Sequence, residues 1–124
     1  MQGYPVKIFG QPTKRYCQTL DLREDPELIA AYEKLHSPDG VWKETLDAIR
    51  ASGILEMEIY IHENRLFMIV EMPAELEWED AMRRMASMPK QKEWEALTAK
   101  FQKASATATS DEKWKPMRRI FRVY

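Results

Sequence analysis

Tyr32 and His36 are the pair in this chain best suited to moving a proton. They stand four residues apart, so on a helix both side chains share one face. Imidazole changes charge close to neutral pH and can give or take a proton. His36 falls just before Ser37-Pro38, where a helix must stop, and a helix C-terminus favours the imidazolium form. By position alone, the simpler reading of His36 is a residue that only stabilises a helix end, where histidines are common. Trp94 beside Glu93 is a second pairing with chemical content. An indole face packs against the C–H face of a sugar, and a carboxylate holds its hydroxyls. By residue type alone, the favoured reading is a core Trp94 and a solvated Glu93.

The remaining reactive types carry less. His62 falls between two strand-like runs and reads as a solvated turn residue. Cys17 is the single cysteine, has no basic neighbour suited to activating it, and reads as a small buried hydrophobe. The 20 acidic residues show no spacing that marks a metal site, and no P-loop, GxGxxG, CxxC or HExxH motif is present. The expectation is therefore chemistry without metal or cofactor. Trp42, Trp78 and Trp114 complete a set of four tryptophans, and the eight methionines read as core filling.

The elements that must position these residues follow from periodicity. Gly3, Pro5, Gly10 and Pro12 make residues 1–14 a loose arm ahead of a domain spanning 15–124. Residues 15–22, RYCQTLDL, alternate as a strand. Asp25-Pro26 supplies an N-cap and a first-turn proline, and Leu28, Ile29, Tyr32 and Leu35 carry a helix to His36. A second helix runs from about Val41 to Ser52, ended by Gly53. Residues 54–61 and 65–72 are strands joined at His62-Glu63-Asn64. Residues 77–85 and 90–104 read as helices, 104–116 as a polar connection, and 117–124, MRRIFRVY, as a last strand. The order β-α-α-β-β-α-α-β reduces to βαββαβ, an α+β fold of ferredoxin-like type. One face of such a sheet carries helices, and a second copy would cover the other, giving a dimeric α/β barrel.

Composition limits the partners. The 124 residues make one domain, large enough to fold on its own core, and the formal net charge of −1 gives no electrostatic attraction for nucleic acid or an anionic membrane. No run of about 20 apolar residues could span a bilayer, and the N-terminal stretch lacks the apolar core of a signal peptide. One unpaired cysteine suits a reducing cytoplasm.

Several segments together resemble the L-rhamnose mutarotase family. AAYEKLH (30–36) is similar to the family's Y-x-x-x-H signature and is followed by a proline and then a tryptophan before the second helix. GILEMEIYI (53–61) with RLFMIVEM (65–72) resembles its glycine-led strand pair, and QKEWEAL (91–97) its tryptophan-bearing helix. The resemblance spans about 15–123. It implies a homodimeric α/β barrel that interconverts the α and β anomers of a 6-deoxy-hexose, a small monosaccharide. It also implies His36 as proton donor, with Tyr32 and Trp94 as substrate contacts. The family's Trp-Trp pair aligns with Glu93-Trp94, and a family tyrosine aligns with Met57. The loop after His36 is longer here, through Asp39 and Gly40. Glu93 would then replace an aromatic contact with a hydrogen bond to a hydroxyl, which favours L-fucose or another sugar over L-rhamnose.

Mutarotation needs a proton delivered to the ring oxygen and one removed from the anomeric hydroxyl, so a general acid and a general base suffice. Ferredoxin-like barrels also include cofactor-free monooxygenases and non-enzymatic binding modules, because a fold does not fix a function. An oxygenase would need an apolar aromatic pocket, whereas in a binding module His36 would be structural only.

Overall fold

The computed structural model describes residues 1–105 and 107–124. Its elements are β1 (Thr13–Asp21), α1 (Pro26–Leu35), α2 (Lys43–Ala51), β2 (Glu56–His62), β3 (Arg65–Pro73), α3 (Trp78–Ala86), α4 (Gln91–Ala99), α5 (Ser110–Lys113) and β4 (Lys115–Met117). The four strands form one antiparallel sheet in the order β2-β3-β1-β4. With α1 and α2 as the first crossover and α3 to α5 as the second, this is the βαββαβ arrangement expected from the alternation pattern.

Alternation along the central strands decides which face is covered. Leu66, Met68, Val70 and Met72 of β3 are buried, and Gln18 and Leu20 of β1 join them. The register sets Leu20 opposite Leu66, Gln18 opposite Met68 and Tyr16 opposite Val70. Ile49, Ala81 and Met82 of the helices pack on this side. The other face presents Cys17, Thr19, Phe67 and Ile69, all half-buried, with no helix among the described residues laid across them.

Local chemistry accounts for the element ends. The Asp25 carboxylate accepts from Glu27 N at 2.9 Å and Leu28 N at 3.4 Å, with Pro26 in the first turn. Gly53 ends α2 at φ +97°, where a Cβ would stand 2.7 Å from Leu76 Cδ2. The hairpin closes more tightly than the three-residue joint expected: His62 pairs with Arg65, leaving Glu63-Asn64 as the turn, with Glu63 at φ 57°. His62 is exposed there.

Three expectations change. The arm lacks regular structure through residue 12, but Tyr4 lies edge-on to Tyr60 at 5.9 Å, so it runs beside β2. The connection 104–116 holds α5, started by a capping box in which Thr109 and Glu112 serve each other's backbone N–H. The last strand is far shorter than 117–124. Only Lys115–Met117 pairs with β1, and Ile120, Phe121, Val123 and Tyr124 stand exposed beyond it. Alternating residues form a strand only where a partner backbone lies beside them, and none among the described residues pairs with 118–124.

Candidate active site

A cavity of about 430 Å³ lies between the helices and the covered side of the sheet. That falls within the span of small-molecule sites, about 300–1,000 Å³. The sheet supplies its apolar floor through Met57, Ile59, Met68 and Val70, and Tyr32, His36 and Trp94 all face it.

Helix α1 delivers the first two. Tyr32 lies on its buried face, 3% exposed, and His36 is the C-cap residue, half-buried. Their rings stack at 4.1 Å between centroids. His36 Nδ1 lies 2.8 Å from the Tyr32 carbonyl oxygen. A carbonyl only accepts, so Nδ1 carries the hydrogen and Nε2 is the nitrogen left for a ligand. The expectation that the helix end would favour the imidazolium is reversed. Burial pushes the His36 pKa below its ordinary 6.5, and the bond to the Tyr32 carbonyl opposes this only in part.

Helix α4 delivers Trp94, 7% exposed, edge-on to His36 at 5.4 Å and to Trp42 at 5.3 Å. The four rings thus form one aromatic group running from Tyr32 through His36 and Trp94 to Trp42. Burial pushes the Tyr32 phenol up to about 12, so it stays neutral and serves as a hydroxyl rather than a base. Its oxygen accepts from Gln102 Nε2 at 3.4 Å, which leaves the phenolic hydrogen to donate.

Glu93 is not brought to this group. It stands exposed in the first turn of α4, outside the cavity lining, because a residue adjacent to a buried tryptophan on a helix faces about 100° away from it. The acidic residues that line the cavity are Glu56 and Asp111. Glu95 of α4 is buried beside it, and its Oε1 accepts from Gln91 Nε2 at 3.1 Å and Ser110 N at 3.0 Å. Cys17 lies on the open sheet face, half-buried, away from the cavity.

Buried polar groups give the cavity its chemical character. Thr45 Oγ1, Gln91 Oε1 and Gln102 Oε1 are buried without a hydrogen-bond partner among the described residues, and all three residues line the cavity. Orphaned buried oxygens are costly, about 1–3 kcal/mol each, and are retained where something else satisfies them. Three acceptors beside indole and imidazole rings suit a ligand with several hydroxyls and an apolar face.

The L-rhamnose mutarotase family model matches residues 15–123. This chain belongs to the L-rhamnose mutarotase family. It is 38% identical over 108 residues to an L-fucose mutarotase of Xanthomonas campestris pv. campestris, covering 87% of this chain and 86% of that protein. It is 35% identical over 112 residues to a UPF0734 protein of Dictyostelium discoideum, covering 87% and 88% respectively. The crystal structure of an L-rhamnose mutarotase from Formosa agariphila has the same fold. It superposes with a TM-score of 0.65 at 19% identity, over 90% of this chain and 99% of that one. Mutarotases are isomerases that exchange the anomers of a sugar, and the polar, aromatic cavity of this family member is suited to that class of ligand.

The buried polar lining residues Gln18, Thr45, Gln91, Thr98, Gln102 and Lys113 escape sequence reasoning. Threonine, glutamine and lysine are ordinarily surface types, so composition hides them. A faint signal exists for Gln91, which precedes Trp94 by three positions and shares its helix face.

Proposed function

We propose that the protein exchanges the α and β anomers of a 6-deoxy-hexose, with L-fucose the first candidate and L-rhamnose the second. The observation that carries this is the convergence of Tyr32, His36 and Trp94 on one cavity with the partnerless oxygens of Thr45, Gln91 and Gln102. The similarity to a protein named L-fucose mutarotase supports the choice of sugar.

The sugar lies with its apolar face on Trp94 and gives hydroxyl hydrogens to the three waiting oxygens. His36 Nε2 donates a proton to the ring oxygen as the C1–O5 bond breaks, while a solvent water takes the proton of the anomeric hydroxyl. Rotation about C1–C2 then presents the other carbonyl face. Ring closure reverses both transfers, and His36 recovers its proton. The lowered His36 pKa makes its imidazolium a stronger acid toward the weakly basic ring oxygen. The Tyr32 hydroxyl donates to a substrate oxygen and keeps it in register.

The homodimer is part of the same proposal. The open sheet face, the exposed apolar residues Val6 and Ile8 of the arm and those of the C-terminal tail are what a second copy would cover. Among the described residues no helix is long and apolar enough to cross a membrane. The free thiol of Cys17 suits the cytoplasm as the working compartment.

Saturation-transfer and exchange NMR on L-fucose, L-rhamnose and related sugars tests the reading. The wild type accelerates anomer exchange of one 6-deoxy sugar, and His36→Ala lowers that rate by about 10²–10⁴-fold, the usual worth of a general acid. An unchanged rate in the variant removes His36 from the mechanism. Binding without exchange by the wild type makes the protein a sugar-binding module.

A further inference from the structure

Lys113 sits on the four-residue α5 and is only 3% exposed. Its Nζ donates to the backbone oxygen of Glu95 and to Thr98 Oγ1, the latter at 3.3 Å. It makes no ion pair with a carboxylate among the described residues. An ammonium carries three N–H donors, so one is left without an acceptor among the described residues. Lys113 also lines the cavity that holds His36 and Tyr32.

Folding alone does not explain such a residue. A buried amine without an ion-pair partner is costly, and an apolar side chain of the same length would fill the space at lower cost. Burial lowers the Lys113 pKa, and the nearby negative charge of Glu95 offsets this in part. The surroundings indicate what the third donor meets. Glu95 ties Lys113 to Gln91: its backbone oxygen accepts from Lys113, and its carboxylate accepts from Gln91 Nε2 at 3.1 Å. That leaves Gln91 Oε1 as an acceptor without a donor, on the same wall as a donor without an acceptor. A sugar hydroxyl satisfies both, since it donates one hydrogen and accepts another.

We propose that Lys113 is a substrate-binding and specificity-determining residue, its free N–H held against a hydroxyl oxygen of the sugar whose hydrogen goes to Gln91 Oε1. This rests on the mutarotase reading. The contact belongs to a single hydroxyl position, so it discriminates among sugars that differ there. A missing hydroxyl leaves donor and acceptor both unpaired, which is the most effective way for a site to reject an analogue.

The test pairs Lys113→Met with monodeoxy analogues of whichever sugar, L-fucose or L-rhamnose, the wild type exchanges faster. In the wild type, one analogue raises KM by about tenfold or more, as for loss of a hydrogen bond to a charged group. Lys113→Met raises KM for the parent sugar by a similar factor, moves kcat much less, and no longer distinguishes that analogue from the parent. A loss spread evenly over all analogues, or no loss, overturns the proposal. If Lys113→Met does not fold, reductive methylation of the wild type with mass-spectrometric readout decides. Protection of the Lys113 amine by the active sugar supports the contact, and reactivity indifferent to sugar overturns it. A wild type that neither binds nor exchanges any sugar overturns the mutarotase reading and the proposal with it. Normal exchange with an indifferent Lys113 overturns the proposal alone.

Discussion

His36 shows how one residue's environment sets the conditions under which it works. Helix-end electrostatics favour its charged form and burial favours its neutral form, and burial wins. A proton donor acts only while protonated, so the rate with the cyclic sugar falls as pH rises through the His36 pKa. Because that pKa lies below 6.5, kcat/KM should decline as the pH rises from acid to neutral, with its midpoint on the acid side of free histidine. Measuring kcat/KM by exchange NMR across that range checks this. A midpoint above 6.5 would mean that the charged form is favoured in the folded protein and that the ring is better solvated than its position implies.

At the scale of elements, the loop after α1 holds the histidine in place. Gly40 lies against the carbonyls that end α1, and a Cβ there would fall 2.9 Å from Leu35 O and closer still to Lys34 O. Ser37 Oγ also donates to the Lys34 carbonyl, at 2.7 Å. Gly40→Ala should therefore push the loop off the helix end. The expected cost is about 1–3 kcal/mol by chemical denaturation, accompanied by slower anomer exchange. Much at this scale is legible in the sequence, because the relevant forces are local. Asp25-Pro26 starts a helix and Gly53 stops one with no help from distant residues. The Thr109-to-Glu112 box was equally present to be read, but its helix is a single turn inside a polar run, too short for apolar periodicity to mark it. Lys113 and Gln102 were not legible, since their burial depends on a cavity that exists only after α4 and α5 close over the sheet. Glu93 was misplaced by one step of helical rotation, its neighbour Trp94 being the one that turns inward.

For the molecule as a whole, the question is what covers the open side. The fold class was readable from the order of periodic segments, and the sheet order β2-β3-β1-β4 agrees with it. The C-terminal strand was not, because the alternation of Ile120, Arg122 and Tyr124 says that a strand is possible without saying which chain it pairs with. If the tail packs on a second copy, the full-length protein should run at twice the mass of one chain in light scattering. A chain ending at Met117 should run at the mass of one. Full-length protein at single-chain mass would count against the dimer and leave Ile120 and Phe121 as an unexplained apolar surface.

One atom in this arrangement answers to no side-chain mutation. The Tyr32 carbonyl oxygen accepts from the His36 amide at 3.2 Å and from the His36 ring at 2.8 Å. In many proton-transfer sites, a carboxylate side chain orients the histidine, and exchanging it alters the tautomer and the charge together. Here the orienting group is main chain. Any residue at position 32 that keeps the helix keeps the hydrogen on Nδ1. The pocket around His36 is therefore free to be rebuilt for a different sugar, side chain by side chain, while the place of the proton stays encoded in the backbone.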